Sequence, residues 1–201
     1  MGNRGRFGKY GEIKRLNRLR GSGMRDAPGK GWGTGEHVHA KEGFHRKGRL
    51  TTRPSKRSDK RFIAQLSGKV FSVYGPYREM VSQWFATGMT VTRIALVAGS
   101  PVGFAMMGRW LQEGSGESAC ELLAIAVEPG KQQQGIGLRL LQEIETEVGR
   151  MGEGMLLLHT AVENLPAQKL FSKAGYRPCG IKRKFYPAGQ HALMMVKEMK
   201  K

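Results

Sequence analysis

The sequence has few cysteines, few acidic residues and no long apolar run, and each shortage excludes a class of protein. Two cysteines among 201 residues, Cys120 and Cys179, are too few for a disulfide framework or a four-cysteine metal site. No apolar run reaches the ~18 to 20 residues of a membrane helix, and the first thirty residues contain no apolar signal segment. We therefore expect a cytoplasmic protein without a membrane partner.

Acidic residues are scarce relative to basic ones. The chain carries 34 Lys plus Arg and only 16 Asp plus Glu, which gives a formal net charge of +18. Residues 1–46 contain eleven basic residues, four acids and eleven of the 29 glycines, with almost no aliphatic cluster. Such a segment cannot bury a core. It is predicted to be a flexible basic arm, for which RNA or a ribosome is a candidate partner.

The arm contains three of the five histidines, and they do not form a metal-binding pattern. His37, His39 and His45 lie close together, but no cysteine or further histidine completes a set at ligand spacing, and glycines surround them. No metal cofactor is expected.

Residues 47–201 alternate strand and helix patterns and predict an α/β domain. Four helices are predicted. The first follows a candidate N-cap at Ser58-Asp59 and carries Phe62, Ile63, Leu66 and Val70 at helical spacing, and the others lie at 77–85, 136–148 and 166–174. Seven strands are predicted, at 50–53, 90–98, 101–109, 120–127, 155–159, 177–185 and 192–196. We expect one central mixed sheet flanked by helices.

The most informative segment joins a strand that ends at Val127 to a helix that begins near Ile136. Its backbone N–H groups, with the positive end of the helix dipole behind them, would suit a diphosphate. Gly135 and Gly137 place no side chain between such a ligand and the backbone. Because Leu140 replaces the third glycine of a dinucleotide fingerprint, the common nucleotide motifs do not match. An ordinary glycine-rich turn remains the alternative.

A wider pattern resembles the GNAT acetyltransferase superfamily. The segment Gln132-x-x-Gly135-x-Gly137 after a buried strand is similar to the family's acetyl-CoA motif, and residues 157–176 are similar to its second block. The resemblance covers roughly residues 47–197 in the family's order. It implies the GNAT fold for residues 47–201 and acetyl-CoA as co-substrate.

Near its C-terminal end, the chain resembles one branch of this family in particular. Residues 183–195 are similar to the segment that carries a Tyr-Tyr pair in acetyltransferases of protein N termini and of ribosomal-protein alanine. Phe185 and Tyr186 stand where that pair stands. The resemblance therefore implies direct transfer of acetyl to a protein or peptide α-amine, with Tyr186 facing the substrate.

The resemblance also implies which residues bind acetyl-CoA. Backbone groups of Ala126 and Val127 would pair with pantetheine as a neighbouring strand does, and would polarise the thioester carbonyl. Asn164 would hold the pantetheine arm. The diphosphate would lie on the turn, formed by Gln132, Gln133, Gln134, Gly135, Ile136 and Gly137.

Two residues match general bases of different family members. His159 matches a histidine of certain N-terminal acetyltransferases, and Glu121 matches a carboxylate of other members, although either could be a structural residue of the sheet. Imidazole is the easier base near neutral pH, which favours His159. Phe171 replaces a tyrosine that protonates the leaving thiolate in many members, so Tyr176 and Tyr186 are the remaining candidate donors.

Two other functions fit the same sequence. The acceptor could be a lysine or a small amine, although the positive charge of the chain would repel cationic substrates. Alternatively, the domain could bind CoA without catalysis while the arm tethers it to a ribosome or to nucleic acid.

Overall fold

The computed structural model describes residues 48–111 and 118–199, and the predicted arm with its histidines lies outside them. In this part of the chain, seven strands form one sheet and four helices cover its faces. The strands are β1 (Leu50–Pro54), β2 (Thr90–Val97), β3 (Ser100–Leu111), β4 (Ser118–Val127), β5 (Met155–Ala161), β6 (Arg177–Lys182) and β7 (Ala192–Glu198). The helices are α1 (Lys60–Phe71), α2 (Tyr77–Ala86), α3 (Ile136–Arg150) and α4 (Leu165–Lys173). Within the described ranges, no helix is long and apolar enough to cross a bilayer.

The strands are arranged in the order β1-β2-β3-β4-β5-β7-β6. Neighbouring strands are antiparallel except β4 and β5, which are parallel. A parallel pair requires a crossover connection, and α3 provides it. The mixed sheet flanked by helices that the sequence predicts is therefore confirmed, and β7 is inserted between β5 and β6.

Each face of the sheet is covered by one pair of helices. On the first face, α3 buries the apolar residues that recur at four-residue spacing, and Phe171 of α4 packs beside them. On the second face, α1 and α2 pack their apolar sides on β2, β3 and β4. The residues that form this second core include Ile63, Leu66, Tyr77, Val81, Ile94, Phe104, Met106, Ala124 and Ala126.

A β-bulge in β4 determines which side chains face the second core. Met106 of β3 pairs with Ala124 and Met107 pairs with Leu122, so Leu123 is an extra residue. An inserted residue changes the alternation of a strand and increases its twist. Glu121, an odd-numbered residue, therefore projects from the same face as the even-numbered Ala124 and Ala126.

Asp59 connects the end of β1 to the start of α1. It was a candidate cap for this helix, but its side chain makes no capping bond into α1. Instead, its two carboxylate oxygens accept from Arg53 at 2.7 and 2.8 Å, and one of them accepts from Lys56 N at 2.6 Å. A bidentate guanidinium bond is stronger than a neutral capping bond, which explains the difference.

Replacing Asp59 with Asn should lower the free energy of unfolding by about 1.5 to 3 kcal/mol at pH 7, because the Arg53 bond loses its charge. The Arg53 guanidinium holds the pKa of Asp59 below its ordinary value. The contribution of Asp59 to the free energy of unfolding is therefore fully present above the pKa of ~3.9 that Asp has in the unfolded chain. This contribution disappears as the pH falls below that value. Urea titrations at pH 7 and in acid would measure this loss, with Glu79→Gln on α2 as an exposed control.

Candidate active site

The sheet opens into a fork between β4 and β5. The two strands pair only from Cys120 to Leu122 on β4. Beyond Leu122, β4 continues to Val127 with β3 as its only partner among the described strands, while β5 pairs with β7. Ala126 and Val127, the predicted pantetheine-binding residues, therefore lie on a strand edge that can pair with an extended ligand.

The glycine-rich turn follows at the open end of β4. Gly135 precedes α3 with φ +79°, a left-handed conformation that favours glycine. The N–H of Arg139 bonds to Gly135 O at 3.0 Å, and the preceding N–H groups of a helix have no intrahelical partner. A Cβ at Gly135 would meet no described atom within 4 Å, and one at Gly137 would meet only Leu170 Cδ2, at 3.2 Å. This open cradle fits a diphosphate.

Gln132 has a different role from the other predicted residues of the turn. Its Nε2 donates to Val127 O at 3.1 Å, so the side chain anchors the turn to the end of β4. Gln133, like Gly135, has a positive φ, of 59°. The backbone from Gln133 to Gly137 is thus the part of the turn that can face a ligand.

Glu121 and His159, the two candidate bases, meet at the base of the fork. His159 Nδ1 lies 2.7 Å from Glu121 Oε1, and the two side chains are 5% and 11% exposed. An ionised carboxylate only accepts hydrogen bonds, so an ionised Glu121 requires the proton on Nδ1. In the tautomer with the proton on Nδ1 alone, Nε2 has the free lone pair. Nε2 is buried without a hydrogen-bond partner in the part of the chain that the structure describes. This is the arrangement of a base and the group that orients it.

Phe185 holds the imidazole from one side. Its ring stacks on His159, with the centroids 4.5 Å apart and the planes 13° apart, and Lys182 Nζ lies 5.6 Å from the centroid of the same Phe185 ring. The sequence placed Phe185 beside the substrate-facing tyrosine but did not indicate contact with His159. The stacked ring restricts the imidazole orientation that the Glu121 hydrogen bond selects.

Tyr186 belongs to an aromatic cluster on the same side of the sheet as Phe185. It is 8% exposed, and its ring centroid lies 4.8 Å from Tyr74, 6.0 Å from Tyr77 and 5.1 Å from Phe185. Sequence reasoning missed Tyr74 and Tyr77 as neighbours of the site. The turn at Gly75, just before Tyr77, packs against Pro187, more than one hundred residues away, so no local pattern indicated this contact.

The segment 72–76 before α2 and the segment 183–191 between β6 and β7 contact each other directly. Gln190 Nε2 donates to Val73 O at 2.7 Å, and Ala188 N donates to Tyr74 O at 3.3 Å. Gly75 has φ +124°, and a Cβ there would lie 2.7 Å from Pro187 Cβ. These contacts fix the aromatic cluster next to the Glu121–His159 pair.

Asn164 caps α4 beside this cluster. Its Oδ1 accepts from Ala167 N at 3.3 Å. It also hydrogen bonds to Tyr74, whose pKa is raised by burial and by the charge of Glu163 despite that bond. The start of α4 therefore already sets the orientation of Asn164. This orientation is compatible with the predicted contact between Asn164 and pantetheine.

Two other reactive side chains, those of Tyr176 and Cys120, are in unsuitable positions. Phe171 and Tyr176 are both buried in the first core, with their rings 5.9 Å apart. Burial and the charge of Glu145 raise the pKa of Tyr176 far above its ordinary range, so it is no proton donor for a thiolate in the fork. Burial raises the pKa of Cys120 to about 11, which rules out a ready thiolate nucleophile on β4.

Comparison with known proteins confirms the family that the motif indicates. Residues 59–176, more than half of the chain, match the acetyltransferase (GNAT) family. The match includes the fork, the turn and the Glu121–His159 pair. The chain belongs to this family.

Individual relatives match the chain either over part of its length or at low sequence identity. The chain is 35% identical over 66 residues to the [ribosomal protein bS18]-alanine N-acetyltransferase of Escherichia coli K12, a match that covers 33% of this chain and 45% of the relative. It therefore spans less than half the length of that relative. In solved structures, the E. coli ribosomal-protein-S18-alanine N-acetyltransferase has a TM-score of 0.64 at 21% identity, covering 76% of this chain and 96% of the other. Arabidopsis thaliana NAA60 in complex with acetyl-CoA has 0.67 at 17% identity, covering 75% and 99%.

Proposed function

We propose that the chain is an N-acetyltransferase that moves the acetyl group of acetyl-CoA to the α-amine of a protein or peptide, by direct attack in a ternary complex. The buried Glu121–His159 pair at the base of the fork carries this proposal. It places a nitrogen base with a free lone pair close to the strand edge that would hold the thioester.

The fork and the turn suit the two ends of acetyl-CoA. Residues Gln133 to Gly137 provide backbone donors for the diphosphate, and the unpaired edge at Ala126 and Val127 provides a strand partner for pantetheine. The co-substrate supplies an activated acetyl thioester. This binding mode requires no metal-ligating side chain.

His159 is assigned the proton transfer. Its Nε2 accepts the proton of the attacking amine, while Glu121 holds Nδ1–H and stabilises the charge that the ring acquires. The amine nitrogen forms a bond to the carbonyl carbon, and the backbone N–H at Val127 is assigned to the oxyanion. The carbon–sulfur bond then breaks, and the thiolate leaves with the acetylated amine as the other product.

An α-amine suits this site better than a lysine. Neither Phe171 nor Tyr176 can protonate the leaving group, which leaves Tyr186 as the candidate donor. A ready amine nucleophile lowers the demand on such a donor. An α-amine has a pKa of ~7.7 to 8.0 against ~10.4 for lysine, and a larger fraction is neutral at pH 7. The relatives named for ribosomal-protein alanine acetylation support the same class of acceptor.

The test is to locate the acetylated nitrogen by tandem mass spectrometry. The substrate is a peptide that begins with alanine and contains one lysine. Two matched peptides accompany it, one with a formylated N terminus and a free lysine, the other with a free N terminus and a dimethylated lysine. Acetylation of the first and third peptides supports the proposal. Acetylation of the first and the formylated peptides, with the third left unmodified, would assign the enzyme to lysine instead.

A non-catalytic CoA-binding role has a separate signature. Calorimetry would then show CoA binding while no amine releases CoA thiol above the uncatalysed rate.

We further propose that the protein acts in the cytoplasm and that residues 47–201 are the catalytic unit, since the assigned residues all lie there. A chain without residues 1–46 should therefore retain the peptide turnover of the full chain, and a large loss would place part of the site in that segment.

A further inference from the structure

A basic patch includes the start of α1 and Arg78 at the start of α2. It consists of Lys56, Arg57, Lys60, Arg61 and Arg78, and we call it the α1 patch. All five residues are exposed, and within the described ranges none of them forms an ion pair. Strands β2 and β3 lie between the edge strand β1, which leads into the patch, and the Glu121–His159 pair.

The nearest acid does not neutralise the α1 patch. Asp59 is buried, and its two oxygens are occupied by the Arg53 guanidinium and by Lys56 N. Glu128 is paired with Lys69 and Glu147 with Arg93. Glu79 follows Arg78 on α2 and is exposed, and its single charge leaves the five cations in excess. The charge of the patch therefore remains available to a partner.

The local electrostatics of α1 oppose these cations. Arg57 lies in the short 3-10 turn before α1, and Lys60 and Arg61 begin α1, so three cations lie within five residues. The first turn of α1 contains Lys60 and Arg61 and no acid, although the helix dipole favours acids there. By contrast, Lys173 occupies the last turn of α4, where a cation is favourable. The α1 patch thus costs stability that a bound anion would recover.

The patch is elongated. The Cβ, Cγ and Cδ atoms of Arg78 lie 3.3 to 3.6 Å from where a Cβ of Gly68 would be, so Arg78 lies against α1 two turns beyond Arg61. At 1.5 Å per residue, the distance along α1 from Lys60 to Gly68 is about 12 Å. Cations distributed over this length match a run of phosphates better than a single anion.

We infer that the α1 patch binds the phosphate backbone of RNA. The sequence around it supports a polyanion, since residues 46–61 contain eight basic residues and one acid. A lipid surface is disfavoured because the large apolar side chains that are exposed in the described ranges lie elsewhere, at Val73, Met89, Met151, Val162, Leu165 and Ile181. RNA is the phosphate polymer expected for the cytoplasmic location proposed above, and the choice of RNA rests on that proposal. The inference does not depend on catalysis.

The test compares two double variants of the full chain, Lys60→Gln/Arg61→Gln in the patch and Lys169→Gln/Lys173→Gln on α4, which remove the same charge. Binding of a fluorescein-labelled RNA hairpin is measured by anisotropy between about 50 and 200 mM salt. For the patch variant, we expect Kd to rise roughly tenfold per lost phosphate contact at 0.1 M salt, and the salt slope to fall by about 2. The α4 variant should remain close to wild type.

Two further measurements make the result decisive. The melting temperature of the patch variant should stay level or rise, because repulsion in α1 is relieved, and peptide acetylation should not change. A second patch variant, Arg57→Gln/Arg78→Gln, should show the same loss of RNA affinity. Equal losses in the patch and α4 variants would reduce the effect to net charge and overturn the inference. Binding to phosphatidylserine vesicles without binding to the hairpin would also overturn it.

Discussion

His159→Ala is expected to lower the rate of the chemical step by about 10² to 10⁴-fold, the range typical for loss of a positioned general base. Acetyl-CoA affinity should change little, because His159 lies at the base of the fork and the turn that would bind the diphosphate is at its open end. Single-turnover rates with a peptide acceptor and calorimetry with acetyl-CoA would measure the two quantities separately.

The pH dependence of this reaction gives a second readout. A base must be neutral to accept a proton, so the wild-type rate should rise with pH as the imidazole loses its proton. The His159→Ala variant should lose this limb and retain only the rise due to deprotonation of the amine itself. Identical pH profiles for the two proteins would contradict the assignment of His159.

Glu121→Gln tests whether the two residues act as one unit. The amide can still accept from His159 Nδ1–H, but it cannot stabilise the ring when it becomes charged. We expect a loss of roughly ten- to a hundredfold, because a hydrogen bond to a charged group contributes about 1.5 to 3 kcal/mol. The double variant should be no slower than His159→Ala alone, since Glu121 acts through the imidazole.

Other outcomes would redirect the mechanism. A large loss in Glu121→Gln with a nearly silent His159→Ala would make the carboxylate the base and favour the comparison with lysine acetyltransferases. Activity close to wild type in both variants would mean that the enzyme mainly positions an amine that is already neutral. Either result would leave the family and the cofactor site unchanged.

Local patterns were sufficient to predict the elements that frame the site. The four-residue spacing in α3, the buried run of β4 and the two glycines at 135 and 137 are each determined within a few residues. The family resemblance placed the two strands that flank the fork in one sheet, and the structure confirms this sheet. Even the end of β1 was nearly correct, with the strand extending by one residue to Pro54.

The pairing of Glu121 with His159 was beyond local reasoning. The two residues are 38 positions apart, on strands whose parallel pairing stops beside them, and the sequence presented them as alternatives. Their contact also depends on the bulge at Leu123, which no local pattern marks. The same holds for Phe185, since its contact with His159 requires β7 to lie between β5 and β6.

The second large effect is expected at the turn. Gly135→Val should weaken CoA binding by roughly ten- to a hundredfold, because loss of one hydrogen bond to a charged phosphate costs about 1.5 to 3 kcal/mol. Valine disfavours the φ of +79° that Gly135 adopts, so the backbone that presents the N–H groups must change. Isothermal titration calorimetry with CoA would measure the effect.

Gly130→Val is the matched control for this variant. Gly130 lies in the same connection, has no positive φ, and a Cβ there would meet no described atom within 4 Å. The control should retain both fold and CoA affinity. Gly135→Val itself should lose about 1 to 2 kcal/mol of stability, the cost of a left-handed residue with a side chain. Thermal melts would show that this loss leaves the variant folded during calorimetry. Wild-type CoA affinity in a folded Gly135→Val protein would remove the turn from the cofactor site, because the diphosphate would then not depend on this backbone conformation.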